Sequence, residues 1–179
     1  MDYDPNVSGS RRHLATLITT MLGQAGFMEE WHEGHGSDPT REKVYYRPVD
    51  GIPNMRVVVY TSIVDGAEGP EVREVGKDAC RVLVMYKSEK DGDERAIAKA
   101  TRVHRTGDTD AICGRLLGRM REVYAKALKP GRCEKCGAPT FISKKGNDVC
   151  AETCWTTEVR QKPASNYGYR GGYSSYRRW

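Results

Sequence analysis

The chain has 179 residues, of which 38% are hydrophobic and 30% are charged, and its formal net charge is +5 at pH 7. This length allows one domain with a real core plus small additions and excludes two ordinary domains. No apolar run reaches the roughly 18 residues of a membrane span, and the polar start predicts no secretion signal. We therefore expect an unsecreted protein of the cytoplasm, nucleoid or nucleus, with no membrane partner.

The positive charge is concentrated toward the C-terminal end of the sequence. Residues 1–128 contain 19 basic and 20 acidic side chains, residues 129–155 contain 5 and 3, and residues 156–179 contain 5 and 1. The three regions therefore carry net charges of −1, +2 and +4, which add to the formal +5. A polyanionic partner is favoured by the C-terminal regions and not by the first region.

Two amphipathic patterns predict helices. Apolar residues at helical spacing predict the first helix over about residues 11–25, with Ser8 or Ser10 as its cap and Gly26 as its stop. A second apolar stripe predicts a helix over about residues 109–128, with Asp108 as its N-cap.

Runs of β-branched and alternating apolar residues predict four strands, over about residues 43–49, 55–64, 79–87 and 95–104. Short Asp-Gly and Gly-Pro separators between them favour an antiparallel meander, and residues 72–75 are a candidate short extra pairing. The polar segment of residues 30–40 predicts a loop. In it, His32 and His35 are candidates for metal or acid–base chemistry, but no second motif completes such a site.

Four cysteines carry the most specific signal in the chain. Cys133, Cys136, Cys150 and Cys154 are spaced C-x2-C-x13-C-x3-C, which suits a tetrahedral metal site. We expect one structural Zn²⁺, because four sulfur ligands leave no open position for a catalytic water. Free or redox-active cysteines are the alternative. Cys80 and Cys113 lie alone in apolar segments, a pattern typical of a reducing compartment.

Residues 131–156 resemble a zinc ribbon, including the small zinc ribbons appended to DNA topoisomerases. The C-x2-C-G turn at Cys133, Cys136 and Gly137 carries the resemblance, together with the second cysteine pair. It implies that the four cysteines are the ligands and that residues 140–143 and 148–149 form hairpin arms. The three residues between Cys150 and Cys154 depart from the most regular ribbon spacing.

The last segment is basic and rich in glycine, tyrosine and arginine, and its composition predicts disorder. It resembles the Arg-Gly-Gly and Gly-Tyr tails of RNA-binding and single-strand-binding proteins, with one RGG at residues 170–172. Such rings stack on bases while guanidinium groups pair with phosphates.

Together these patterns predict an α+β body over residues 1–129, a zinc ribbon over residues 130–156 and a disordered tail over residues 157–179. The body is expected to be an antiparallel four-stranded sheet with a helix before it and a helix after it, so that one sheet face is covered by helices and the other is open. Its element order is loosely similar to small single-strand-binding modules such as the Whirly type, in topology only.

The favoured hypothesis is a nucleic-acid-binding accessory protein in replication, recombination, repair or transcription, acting on single-stranded DNA or RNA. The candidate contacts are the cations and rings of the second helix, ribbon and tail: Arg115, Arg119, Lys126, Arg132, Lys144, Lys145, Arg160, Lys162, Tyr167, Tyr169, Arg170, Tyr173, Tyr176, Arg177, Arg178 and Trp179.

Two alternatives stay open at this point. The ribbon or the tail could dock onto a protein of a nucleic-acid machine, which suits the −1 charge of the body. A metal-dependent nuclease would need acidic ligands, for which Asp65 and Glu71, with Arg73 as the basic partner, are the candidates. The sequence does not distinguish DNA from RNA and gives no oligomeric state.

Overall fold

The computed structural model describes residues 2–33, 40–73, 80–97, 101–142 and 148–154. These residues form two helices and ten strands. In chain order the elements are α1 (Ser8–Gln24), β1 (Met28–His32), β2 (Glu42–Pro48), β3 (Met55–Gly66), β4 (Gly69–Val72), β5 (Cys80–Lys87), β6 (Glu94–Ala96), β7 (Thr101–Val103), α2 (Thr109–Ala127), β8 (Gly131–Arg132), β9 (Pro139–Ile142) and β10 (Asp148–Cys150).

Seven of the strands form the main sheet, in the order β1-β2-β3-β5-β6, with β4 added to β3 and β7 added to β5. Every pairing between these strands is antiparallel. The central strand β3 pairs with β5 along its first half and with β4 along its second half. The two halves meet at a bulge, where Ser62 has a φ of 57° and the register against β2 shifts.

The core lies between the two helices and one face of the main sheet. Side chains of a strand alternate between the two faces, and every second residue of β3 and β5 points toward the helices. This core includes Leu14, Ile18 and Leu22 of α1, Ile112, Leu116 and Met120 of α2, and Val57, Val59, Val82 and Val84 of the sheet. The expected arrangement of helices on one face is therefore present.

The prediction of a four-stranded sheet was wrong in the number of strands. Part of the segment expected to be a loop is the edge strand β1, which pairs with β2 from Met28 opposite Tyr46 to His32 opposite Glu42. The charged sequence of β1 gives no clear strand signal, because an edge strand needs only one apolar face and is often protected by charges. The strand expected over residues 95–104 is two short strands, β6 and β7. The short extra pairing was expected over residues 72–75, whereas β4 ends at Val72, and residues 74 and 75 lie outside the described residues.

Both helices are close to their expected positions, but the cap of α1 was predicted wrongly. Its N-cap is Val7, which makes no side-chain cap, and the hydroxyl of Ser10 instead accepts a hydrogen bond from the Asp4 amide. Gly26, with a φ of 80°, follows the helix as expected. In α2 the Asp108 carboxylate caps the helix by accepting from the Ala111 amide at 2.7 Å. Neither helix has the length and hydrophobicity needed to cross a membrane.

The remaining strands form a small sheet in the order β10-β9-β8 around the cysteines. The expected hairpin is present, since Phe141 of β9 lies opposite Val149 of β10. The strand β8 was not expected. At position 131 of β8, a side chain larger than that of glycine would force the hydroxyl of Thr140 to move.

Candidate functional site

The structure brings the four predicted cysteine ligands together. The sulfur atoms of Cys133, Cys136, Cys150 and Cys154 all lie within 4.8 Å of one another. The sulfur atoms of Cys136 and Cys150 are 3.5 Å apart. Four sulfurs at tetrahedral Zn–S bonds would be about 3.8 Å apart, so the cluster is the right size to hold one metal ion.

Two tight turns hold the cysteines in place. In the first, the Gly137 amide donates to the Cys133 carbonyl at 2.7 Å, and Gly137 has the positive φ of 73° that a glycine tolerates. In the second, the Thr153 amide donates to the Cys150 carbonyl at 3.0 Å, and Thr153 has a φ of 64°. The extra residue of the C-x3-C pair is therefore accommodated by a strained threonine just before Cys154.

Burial and crowding raise the pKa of two thiols of the cluster. Burial, together with the neighbouring Cys136 thiol, raises the pKa of Cys150 to about 12. The pKa of Cys154 is raised as well, mainly by Cys136. Thiols crowded in this way resist ionisation, and a divalent cation reverses that preference by compensating the negative charge of the thiolates.

A buried carboxylate connects the cysteine cluster to the main sheet. Glu152, between Cys150 and Cys154 in the chain, is only 7% exposed. Its carboxylate accepts hydrogen bonds from the Ser88 hydroxyl at 2.7 Å, the Tyr86 hydroxyl at 3.1 Å and the Glu89 amide at 2.8 Å. Although burial opposes ionisation, these donors lower its pKa below the ordinary value. Glu152 was not among the site residues predicted from the sequence.

The face of the main sheet opposite α1 and α2, which we call the open sheet face, carries both rings and cations. No helix among the described residues packs on it. The pairings Tyr46–Val58 and Tyr60–Arg81 put these side chains on one face, because directly opposed residues share a face. The open sheet face includes Met28, Glu30, His32, Glu42, Val44, Tyr46, Pro48, Arg56, Val58, Tyr60, Arg81, Leu83, Met85, Lys87, Glu94, Ala96 and Arg102.

Two tyrosines of the open sheet face each have an arginine beside the ring. The guanidinium carbon of Arg56 is 4.9 Å from the centre of the Tyr46 ring, and that of Arg81 is 5.7 Å from the centre of the Tyr60 ring. The ring of His32 meets Tyr60 edge-on, with centres 6.5 Å apart. Burial, and then the nearby carboxylates of Glu94 and Glu42, raise the pKa of Tyr60 above its ordinary value.

The carboxylates of the open sheet face have hydrogen-bonding partners within it or beside it. Glu94 receives two hydrogen bonds from Arg56, at 2.6 and 2.7 Å. Glu30 contacts His32 at 2.6 Å, and Glu42 accepts from the Ser62 amide at 3.0 Å. These acids are therefore partly compensated, whereas Arg81 is exposed and has its ring contact with Tyr60.

The predicted cations of α2 lie along the exposed side of that helix, but they have partners of their own. Arg115 donates to the carbonyls of His104 and Thr106. Arg119 and Lys126 both pair with the Glu122 carboxylate, at 2.6 and 2.9 Å. The helix surface is consequently less strongly basic than its sequence indicated.

The other predicted contacts are in the ribbon and the tail. Arg132 is exposed and donates to the Gly137 carbonyl at 3.2 Å, beside the first cysteine turn. The predicted contacts Lys144 and Lys145 and all those from Arg160 to Trp179 lie outside the described residues, as does His35.

Neither acidic residue considered for a nuclease belongs to a metal-binding group among the described residues. Glu71 pairs with Arg11 at 3.2 Å and accepts from the Ser8 hydroxyl at 3.1 Å. Asp65 lies at the tip of the β3–β4 hairpin, opposite Pro70. Within the described ranges, the four cysteines are the one group of His, Cys, Asp or Glu residues arranged to hold a metal.

Comparisons of the chain with protein-family models, with curated proteins and with solved structures found no significant match.

Proposed function

We propose that this protein binds single-stranded nucleic acid and that the open sheet face is its main contact surface. The observation that carries the proposal is the pair of tyrosine–arginine contacts on neighbouring strands, Tyr46 with Arg56 and Tyr60 with Arg81. An aromatic ring on a sheet offers a platform on which an unpaired base stacks, and a guanidinium group beside it reaches the adjacent phosphate.

A single strand fits this surface better than a duplex. Bases must be unpaired for their faces to reach Tyr46 and Tyr60, since the faces of paired bases are stacked inside the double helix. Arg81 and Arg102 supply positive charge on the same face, whereas Arg56 is paired there with Glu94 and Glu30. DNA and RNA are both suitable ligands.

We further propose that the metal is one structural Zn²⁺. A donor set of four thiolates is typical of zinc or iron–sulfur sites, and the resemblance of residues 131–156 to a zinc ribbon favours zinc. The ion would be held by Cys133, Cys136, Cys150 and Cys154, and its chemistry would be structural, because the four sulfurs fill a tetrahedral site. The cations of the ribbon and the tail would add contacts to phosphates beyond the sheet.

A binding titration with the full chain tests the proposal. Labelled single-stranded and duplex oligonucleotides of equal length are titrated at two salt concentrations, with and without Mg²⁺. We expect tighter binding of the single strand, weakened by salt because each neutralised phosphate releases counterions. Absence of salt-sensitive binding would overturn the proposal and favour docking onto a protein, and Mg²⁺-dependent cleavage would favour the nuclease alternative.

Matched variants then locate the surface. Arg81→Ala removes a cation from the open sheet face, and Arg119→Ala removes one from the surface of α2. We expect Arg81→Ala to weaken binding and to reduce the salt slope by about one unit, with a smaller effect of Arg119→Ala. The reverse order would move the contact from the sheet to the helix.

A further inference from the structure

Glu152 joins the cysteine cluster to a single turn of the main sheet. All three groups that donate to its carboxylate lie at the end of β5 or just beyond it, in Tyr86, Ser88 and Glu89. Burying a carboxylate is costly unless such donors compensate it, so the contact is sensitive to the exact position of Glu152. That position is set by the two neighbouring cysteines, Cys150 and Cys154.

The same turn continues to the open sheet face. The Ser88 hydroxyl, besides donating to Glu152, accepts from the amides of Lys90 and Asp91 at 3.2 and 3.3 Å. The Ser88 amide donates to the Asp93 carbonyl at 2.9 Å, which closes the turn directly before Glu94.

From Glu94 the contacts reach an aromatic ring. Its carboxylate holds Arg56 by two hydrogen bonds, and the Arg56 guanidinium lies beside Tyr46. A continuous series of contacts therefore leads from the cysteine cluster to the proposed binding surface.

We propose that metal binding at the four cysteines positions the turn of residues 88–94 through Glu152 and thereby sets Arg56 on the open sheet face. Glu152 is a positioning residue in this scheme, because its carboxylate reaches Tyr86, Ser88 and Glu89. Its backbone, in contrast, hydrogen-bonds the thiol of Cys150. The effect on nucleic-acid binding rests on the proposed function. The coupling between the metal and the turn does not.

The physical basis is the reciprocity of linked equilibria. A metal ion fixes Cys150 and Cys154, and so holds the strained Thr153 and its neighbour Glu152 in the conformation that reaches Ser88. If the bound metal favours the contact between Glu152 and Ser88 by a certain free energy, this contact favours metal binding by the same free energy. A substitution that removes the carboxylate must then weaken both the metal site and the turn.

The first test measures zinc affinity by competition with a chelator. Glu152→Ala should weaken zinc binding about tenfold, the size of effect typical of residues that support metal ligands. Glu89→Gln is the matched control, because its carboxylate is next to the same turn but accepts from the Asn54 side chain instead. Tyr86→Phe is a milder variant that removes one donor and keeps the ring, and it should weaken zinc binding to a smaller extent.

The second test follows amide hydrogen exchange of the turn with and without zinc. In the unsubstituted chain, zinc should slow exchange at residues 88–93, and in Glu152→Ala this protection should be lost. Equal zinc affinity and equal protection in the unsubstituted chain, Glu152→Ala and Tyr86→Phe would overturn the coupling.

Oligonucleotide binding, measured with zinc and after its removal, separates this proposal from the proposed function. Weaker binding without zinc, reproduced by Glu152→Ala with zinc present, is the expected result. Unchanged binding would overturn the control of Arg56 by the metal. If no oligonucleotide binds at all, the proposed function and the effect on binding both fail, while the exchange experiment still decides the coupling between the metal and the turn.

Discussion

The Glu152 carboxylate accepts a 2.7 Å hydrogen bond from the Ser88 hydroxyl, across 64 residues of sequence. Both residues are buried, and the bond joins the second cysteine pair to the end of β5. Apolar packing reinforces this junction, since Cys133, Cys150 and Ala151 belong to the same buried cluster as the body of the protein. The cysteine segment is thus in direct contact with the main sheet.

Removing the Ser88 hydroxyl should destabilise the protein. Ser88→Ala leaves the buried Glu152 carboxylate with one donor fewer and removes the acceptor used by two turn amides, at a cost of about 1–3 kcal/mol. The free energy of unfolding in urea measures this loss. Thr16→Ala is the control, because that hydroxyl is exposed on α1, and its effect should stay within about 0.5 kcal/mol. Equal effects of the two substitutions would contradict the role of Ser88.

Cysteine substitutions should divide into two classes according to metal binding. Cys133→Ser removes a buried ligand and should reduce the zinc content well below one ion per chain, with a lower unfolding temperature. Cys113→Ser, outside the cluster, should keep the full zinc content. Zinc content is measured after dialysis by elemental analysis. A zinc content near zero in the unsubstituted chain would refute the zinc assignment.

Tyr45 gives the body a specific dependence on alkaline pH. Burial raises its pKa to about 12, and its hydroxyl lies 2.6 Å from that of Thr19. Between its ordinary pKa of 10.0 and this raised value, the unfolded chain loses the tyrosine proton while the folded chain keeps it. Stability should therefore decrease as pH rises through this window, by up to about 1.4 kcal/mol per pH unit from this group.

Tyr45→Phe checks this pH dependence, because phenylalanine keeps the ring and has no proton to lose. The free energy of unfolding of both proteins is measured in urea from about pH 9 to about pH 11. The substituted protein should lose less stability over this range. The same slope in both proteins would show that Tyr45 does not contribute.

The sequence predicted the features that depend on local patterns. The periodicity of the two helices, the Asp108 cap and the clustering of the cysteines needed only neighbouring residues to be recognised. The strand β1 was missed because its residues, Met28 to His32, are mostly polar or charged, and its pairing with β2 is what stabilises it. The bulge at Ser62 gave no clear signal either, although it sets the register of β2 against β3.

The candidate site was only partly predictable, because it too depends on pairing between strands and not on local patterns alone. Alternation along a strand assigns Tyr46 to one face of β2 and Tyr60 to one face of β3. Only the pairing register shows that both residues lie on the same face of the sheet. The pairing of Arg119 and Lys126 with Glu122 could have been anticipated from their helical spacing. The role of Glu152 could not, since its partners are more than 60 residues away in the sequence.

Substitution of Tyr60 tests the claim that the open sheet face binds single strands most directly. Tyr60→Phe keeps the stacking ring, whereas Tyr60→Leu keeps an apolar side chain without it. The dissociation constant for a single-stranded oligonucleotide should stay within about twofold for Tyr60→Phe and rise about fivefold or more for Tyr60→Leu, because base stacking on a ring contributes about 1–3 kcal/mol. Equal affinity of the two variants, with both proteins folded, would contradict the account.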